Sequence, residues 1–179
     1  MIKRLMIAAA VFALAPGGVR ADVADSAGNG FTVKVTLQIH AAPADVYHRL
    51  IQVGDWWNST HTFSGSSHNL SIEEKPMGCF CEKLPNGGGV RHMEVIFLAP
   101  GKALVMAGAL GPLQSIAATG NMRVGLSPAE DGTKLELTYA VTGYLSAGMN
   151  TWAAPVNTVL MEQFTRLKNL IERGDPAPK

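Results

Sequence analysis

Glu82 and His92 flank a short glycine-rich turn, and they are the two residues of this sequence best placed for acid–base chemistry. Residues 85–89 have the composition of a β-hairpin turn, which would place Glu82 opposite His92 and Phe80 opposite Glu94. Opposed side chains have Cβ atoms about 5 Å apart, so the carboxylate would raise the pKa of the imidazole and orient its ring. Inside an apolar pocket the pair predicts a ligand site or a general base. On the outer face it would be an ion pair worth about 0–1 kcal/mol, and a one-residue change of register would separate it.

Cys79 and Cys81 are separated by one residue on the same predicted strand. Residues i and i+2 of a strand lie about 6.6 Å apart, whereas the Cβ atoms of a disulfide lie about 3.8 Å apart. The spacing therefore predicts two free thiols, unless the strand buckles, and a small buried side chain is the ordinary role of such a cysteine. The alternatives are a metal site that adds His92 and a carboxylate, or a thiol nucleophile beside His92. Because the spacing is not typical of structural zinc sites, we predict no metal.

Other residues are predicted to contact a ligand. Tyr139, Met106 and Met122 fall at inward-facing positions of predicted strands, where methionine suits an irregular ligand but also fills ordinary cores. Gln114 follows a Gly-Pro pair between two strands and could donate a hydrogen bond to a ligand, although a plain loop is the alternative. The predicted ligand-binding residues are Trp57, Cys81, Glu82, His92, Glu94, Met106, Gln114, Met122 and Tyr139, with His92 and Glu82 catalytic only if the protein is an enzyme.

The elements that would position these residues follow from hydrophobic periodicity. Strict alternation over residues 31–40 predicts a strand with one buried face. Residues 42–45 start a helix with proline in its first turn, and residues 56–58 begin a second short helix. Six more strands are predicted over residues 69–75, 79–84, 90–98, 102–110, 117–126 and 134–144.

Apolar residues recur at intervals of three and four over residues 151–173, which predicts a long amphipathic helix that stops at Gly174. This helix needs an apolar surface, and the concave face of a curved sheet would provide one while leaving space at one end. The predicted fold is therefore α+β. A strongly curved antiparallel sheet of about seven strands wraps around the C-terminal helix, with two short helices between the first and second strands.

The N-terminus has the three-part pattern of a secretory signal peptide, with a cationic start, an apolar run over residues 5–15 and small residues before the cleavage point. The run is shorter than the roughly 20 residues that span a bilayer. We predict cleavage after Ala21, a periplasmic or secreted location and no stable membrane insertion afterwards; an uncleaved anchor or a buried helix is the alternative. The expected organisation is a signal peptide over 1–21, a flexible lead-in over 22–29, one domain over 30–174 and a tail over 175–179.

Composition restricts the class of partner. The net charge is +1 and the basic residues are scattered, so no basic surface for nucleic acid is predicted. Only 16% of residues are charged and 47% are hydrophobic, which fits a large apolar interior. No Gly-x-Ser-x-Gly, His-Glu-x-x-His or phosphate-loop motif occurs, so we predict no cofactor and favour a binding protein over an enzyme.

The order of elements over roughly residues 30–173 resembles the helix-grip fold of the START-like, or SRPBCC, superfamily, which includes birch-pollen-allergen-like proteins and polyketide cyclases. Residues 39–47 resemble its strand-to-helix step, and residues 50–57 resemble the helix and Trp-Trp segment that follow. Residues 78–82, 91–95 and 108–114 are similar to an exported bacterial subgroup without a settled activity. The resemblance implies a cavity between sheet and helix for a hydrophobic small molecule, with the Trp-Trp segment near its mouth. It does not imply catalysis, because a fold alone does not fix function.

Two functions are therefore expected to compete. The first is a periplasmic binding or carrier protein for a lipid-like or aromatic molecule. The second is a cyclase- or hydrolase-type enzyme in which Glu82 orients His92 as general base; it requires both side chains to face the cavity. A partner-binding domain is a weaker third hypothesis, which would need an exposed apolar patch outside the cavity.

Overall fold

The computed structural model describes residues 20–178, so nearly all of the predicted signal peptide lies outside the described residues and its cleavage stays a prediction. Among residues 20–178 no helix is both long and apolar enough to cross a membrane. The strands are β1 Arg20–Ala27, β2 Gly30–Ile39, β3 Leu70–Ile72, β4 Cys79–Lys83, β5 Gly89–Ala99, β6 Ala103–Ala107, β7 Ala117–Ala129 and β8 Gly132–Tyr144, and the α-helices are α1 Pro43–Ile51 and α2 Ala153–Arg173. All eight strands form one antiparallel sheet in the order β1-β2-β8-β7-β6-β5-β4-β3.

The alternation in the sequence corresponds to the two faces of this sheet. On β2 every second side chain from Phe31 to Ile39 is buried, and its partner strand β8 buries every second side chain from Leu135 to Val141. The pairing of Val33 with Tyr139 sets the register between these two central strands. Because the side-chain period of a strand is two, this register puts both apolar sets on the same face.

The helix α2 supplies the other half of the core. Leu160, Phe164 and Leu167 are buried on one side of α2, as the spacing of three and four predicts, and α2 packs against β1 and β2. Gly174 ends the helix in the left-handed conformation, where it donates a backbone hydrogen bond to Leu170. The α+β fold with a curved antiparallel sheet around a long C-terminal helix is confirmed.

Two details of the predicted architecture are wrong. Residues 22–29 are not a flexible lead-in, because residues 20–27 form β1, which pairs with β2 from Arg20 opposite Thr36 to Ala27 opposite Gly30. The segment is polar and mostly exposed, so its order comes from backbone pairing, which leaves little trace in hydrophobic periodicity. The sheet therefore has eight strands, and the short helices lie between the second and third.

The connection between α1 and β3 also differs in detail from the prediction. In place of one short helix starting at residue 56, it contains three single 3₁₀ turns, Val53–Asp55, Ser59–His61 and Ser67–Asn69. Trp56 and Trp57 lie between the first two turns and both are buried. The Trp56 ring lies 5.5 Å from the Phe164 ring, which joins this connection to α2.

The prediction of free thiols is also wrong, since Cys79 and Cys81 form a disulfide. Their Cα atoms are 5.2 Å apart, closer than the roughly 6.6 Å of a regular strand and within the usual range for a disulfide. The pairing of β4 with β5 changes register between Phe80 and Cys81, at the same point. The strand is thus locally irregular, which is the one condition under which the spacing permits a bond.

Candidate functional site

A cavity of about 240 Å³ lies between the sheet and α2. Phe80, His92 and Tyr139 line it from the sheet, and Val156, Val159 and Leu160 line it from α2. Two connections, residues 60–63 and 110–113, complete the wall together with Trp57, Leu70, Trp152 and Pro155. The cavity is predominantly apolar, as a pocket for a hydrophobic molecule should be.

A β-bulge on β5 turns His92 into this cavity. Phe80 pairs with Met93 and Cys81 pairs with Arg91, so His92 is the extra residue without a partner on β4. His92 and Met93 are consequently both buried, although they are consecutive. In a regular ladder one of the two would face outward. The predicted register, with Glu82 opposite His92 and Phe80 opposite Glu94, is therefore wrong, and Glu82 pairs with Val90.

The contact predicted from that register is nevertheless present. The His92 Nε2 atom lies 3.0 Å from the Glu82 Oε2 atom, and the two residues are 4% and 1% exposed. The other carboxylate oxygen accepts the backbone N–H of Ser64. Because Glu82 is an acceptor on both oxygens, His92 donates from Nε2, and its Nδ1 atom carries the lone pair.

Both members of the pair have a lowered pKa. Burial alone would raise the pKa of Glu82, but hydrogen bonds from Ser64, the Phe63 backbone and His92 outweigh it and hold the carboxyl ionised. Burial lowers the pKa of His92 and outweighs the opposing effect of Glu82. The expected rise in the histidine pKa is therefore not found, because loss of water around the ring matters more than the neighbouring charge. His92 is neutral near pH 7.

Aromatic rings surround the imidazole. Phe63 stacks on His92 with ring centres 5.9 Å apart and an interplanar angle of 21°, and the Phe80 ring lies 5.2 Å away. Phe80 in turn contacts Trp57, whose ring also lines the cavity. These contacts fix the ring plane, so the Nε2 atom stays directed at Glu82.

Gln114 approaches the same histidine from the 3₁₀ turn Gly111–Ser115. Its Nε2 atom donates to the Arg91 carbonyl at 3.1 Å and lies 3.5 Å from His92 Nδ1, the outer limit for a hydrogen bond. The Gln114 side chain therefore binds mainly the backbone of β5 at Arg91, and it does not line the cavity.

Tyr139 lines the cavity, but its hydroxyl is hydrogen-bonded to two backbone groups. The hydroxyl donates to the Gly108 carbonyl at 3.1 Å and accepts from the Leu110 backbone N–H at 3.0 Å. Burial raises its pKa to about 12. Tyr139 thus holds the connection between β6 and β7 against the sheet, and it offers a ligand only its ring.

We expect Tyr139→Phe to lower the free energy of unfolding by about 1–3 kcal/mol, because two backbone groups lose their partner in a water-poor site. Urea unfolding measures the change, and hydrogen exchange at the Leu110 amide should become faster. Tyr144→Phe is the matched control: Tyr144 is 76% exposed, and its loss should stay within about 0.5 kcal/mol. Equal effects of the two substitutions would contradict this role for Tyr139.

The remaining predicted residues lie away from the cavity. Met106 and Met122 pair with each other across β6 and β7 and are buried in the core without lining the cavity. Glu94 lies on the outer face of β5, in an ion pair with Arg91 at 3.1 Å. Cys81 alternates with the inward Phe80 and Glu82, so it too faces outward. The structure therefore does not bring these four residues to the site.

A metal at this place receives no support from the geometry. The two sulfur atoms are bonded to each other and face away from His92. Within residues 20–178 no group of three or more His, Cys, Asp or Glu side chains is arranged to hold a metal ion.

A second histidine–carboxylate contact lies at the cavity wall and was not predicted from the sequence. His61 Nε2 lies 3.2 Å from Glu162 Oε2, and the Asn58 side chain donates to the other oxygen of Glu162. The Asn58 backbone N–H also donates to the buried Gln163 at 2.7 Å. These bonds tie residues 58–63 to α2. No local pattern could have revealed them, because the partners are about 100 residues apart in the chain.

Comparison with known proteins adds information on the fold. No protein-family model matches the chain, and a search among curated proteins found no match. Among solved structures, protein MLL2253 from Mesorhizobium loti is 19% identical with a TM-score of 0.60, and the match covers 80% of this chain and 98% of that protein. CalU16 from Micromonospora echinospora is 15% identical with a TM-score of 0.59, covering 90% and 87%. The Aha1 dimer from Colwellia psychrerythraea is 19% identical with a TM-score of 0.57, covering 80% and 97%.

At these identities the likeness concerns the fold and not the activity. The matches extend over most of both chains, so the whole arrangement is shared and not a local motif. The chain thus has the fold of these proteins, an antiparallel sheet curved around a C-terminal helix.

Proposed function

We propose that this chain is an exported member of the START-like superfamily that binds or carries an apolar small molecule in the cavity between its sheet and α2. The observation that carries the proposal is the cavity of about 240 Å³, lined mainly by apolar and aromatic side chains, in an otherwise well-packed core. Protein interiors are close-packed, and a space of this size is costly to keep unless it has a use. The sequence pattern of a signal peptide supports the periplasmic or secreted location.

The size of the cavity limits the ligand. An apolar cavity of about 150 Å³ binds benzene, and most pockets for drug-sized ligands are larger than about 300 Å³. A cavity of 240 Å³ therefore suits a molecule with one or two rings, or an equally short aliphatic chain. The ring faces of Trp57, Phe80 and Tyr139 favour the aromatic choice.

The test is the uptake of an uncharged aromatic probe, naphthalene, together with native mass spectrometry of the freshly purified protein. Val159→Trp should fill the cavity from α2 and weaken probe binding at least tenfold. Thr158→Trp is the matched control, because Thr158 is exposed on the same helix, and it should bind as the unaltered protein does. Absence of both probe binding and a co-purified compound would reject the proposal, as would equal binding by the two variants.

One observation favours a second candidate, a cyclase- or hydrolase-type enzyme. His92 lines the cavity, is oriented by Glu82 and is neutral, which a general base requires. In this alternative His92→Asn abolishes turnover of an uncharged aromatic ester while naphthalene still binds. Binding without turnover by the unaltered protein would reject the enzyme and leave the carrier.

A further inference from the structure

The side chains that line the cavity of the proposed function also indicate the chemistry of its ligand. None of the residues that line it is Lys, Arg, Asp or Glu. Two lining groups that could have offered a polar atom are engaged elsewhere: the Tyr139 hydroxyl binds Gly108 and Leu110, and the Thr62 hydroxyl donates to the Ser59 carbonyl. His61 at the wall is occupied by Glu162. Thr60 and Trp152 also line the cavity, but Thr60 is exposed and Trp152 is only half-buried. His92 is therefore the principal buried polar group that a ligand meets inside.

His92 meets the ligand as an acceptor. Its Nε2–H is directed at Glu82, 3.0 Å away, so only Nδ1 is left for another partner. The Gln114 amide is 3.5 Å from Nδ1 and is better placed on the Arg91 carbonyl at 3.1 Å. A hydroxyl or N–H of a ligand could approach Nδ1 to about 2.8 Å and make the stronger bond.

The charge behind His92 disfavours anions. Glu82 is ionised and almost completely buried, and no lining side chain carries a permanent positive charge. A carboxylate ligand would lose its water without gaining a counter-charge, and it would face a lone pair where it needs a donor. A neutral donor of the same shape suffers neither cost.

We infer that the ligand is an uncharged molecule with one or two aromatic rings and a hydroxyl or N–H group that donates to His92 Nδ1, and that carboxylic acids such as fatty acids are excluded. This inference rests on the proposed binding function and specifies its ligand. Glu82 is the positioning residue, since it fixes which nitrogen of His92 is free.

The test uses three probes with one carbon skeleton: 2-naphthol, naphthalene and 2-naphthoate at pH 7. We expect 2-naphthol to bind at least tenfold more tightly than naphthalene, and 2-naphthoate to bind at least tenfold more weakly than naphthalene. In His92→Phe the advantage of 2-naphthol over naphthalene should disappear while naphthalene still binds.

A second measurement uses the unaltered protein, so that the test does not depend on the folding of the His92→Phe variant. In ¹⁵N-labelled protein, 2-naphthol should shift the Nδ1 resonance of His92, as a new hydrogen bond does, and naphthalene should not. If all three probes bind within threefold of each other, or the carboxylate binds best, this inference is overturned and the proposed function stands. If none of them binds, this inference is overturned, and the proposed function is overturned as well when no compound co-purifies with the protein.

Discussion

Glu82→Ala should lower the free energy of unfolding by about 3 kcal/mol, the largest loss of stability we expect from a single polar side chain here. Glu82 is 1% exposed and accepts hydrogen bonds from His92 Nε2 and from the backbone N–H of Ser64. Truncation leaves these donors without their acceptor in a buried site, and each unsatisfied buried group costs about 1–3 kcal/mol. Urea or thermal unfolding measures the loss.

Two controls separate this effect from a loss of charge. Glu82→Gln keeps an oxygen for Ser64 and should cost less than half as much, with His92 forced into the opposite tautomer. Glu94→Gln removes a carboxylate from an exposed ion pair on the neighbouring strand and should change stability by less than about 0.5 kcal/mol. If Glu82→Ala lowers the free energy of unfolding no more than Glu94→Gln does, the buried pair of Glu82 and His92 does not stabilise the fold.

Titration of Glu82 and His92 should also be visible in the pH dependence of the free energy of unfolding. Both pKa values are lowered in the folded state, so the folded protein binds fewer protons than the unfolded chain, and stability falls as the pH falls. The contribution of His92 to the free energy of unfolding is complete above about pH 6.5, the pKa of the group in the unfolded chain, and it declines below that pH. The contribution of Glu82 is complete above about pH 4.5 and declines below that pH. In Glu82→Gln the second decline should be smaller, and Glu73 and Glu172, whose pKa values are also lowered in the folded state, account for the part that stays.

Loss of the Cys79–Cys81 disulfide should displace His92 and weaken binding of an aromatic probe at least tenfold. The bond holds the two Cα atoms 5.2 Å apart, next to the point at which β4 and β5 change register. Without it β4 can relax toward the roughly 6.6 Å spacing of a regular strand. A regular ladder would pair His92 with Cys81 and turn the imidazole to the outer face, because a shift of one residue reverses the side chains.

The measurement compares the imidazole resonances of His92, and binding of naphthalene, in three samples. These are the oxidised protein, the protein reduced with a dithiol, and the double variant Cys79→Ser, Cys81→Ser. The reduced protein and the variant should behave alike, and the dithiol should have no effect on the variant, which controls for other actions of the reductant. Unchanged His92 resonances after complete reduction would show that the bulge is held by the rest of the sheet.

The sequence by itself determined most of the architecture. The alternation of residues 31–40 and the spacing of three and four in residues 151–173 predict β2 and α2 nearly to the residue, because each repeat must keep one face out of water. A turn rich in glycine and proline separates β4 from β5 at the predicted place, and β7 and β8 meet at residues 130–131, inside the gap between the two predicted strands. The contact between Glu82 and His92 also follows from the sequence, since any short hairpin brings residues on its two arms together.

The tertiary structure decided everything that depends on a single residue of register or on backbone pairing. The bulge at His92 is invisible in the sequence, yet it turns the imidazole inward, leaves Cys81 and Glu94 on the outer face and accompanies a disulfide that regular strand geometry forbids. The polar strand β1 is ordered by its hydrogen bonds to β2, which need no particular side chains. Burial decided the charge of His92, because the cost of removing water from the ring depends on atoms brought from distant parts of the chain.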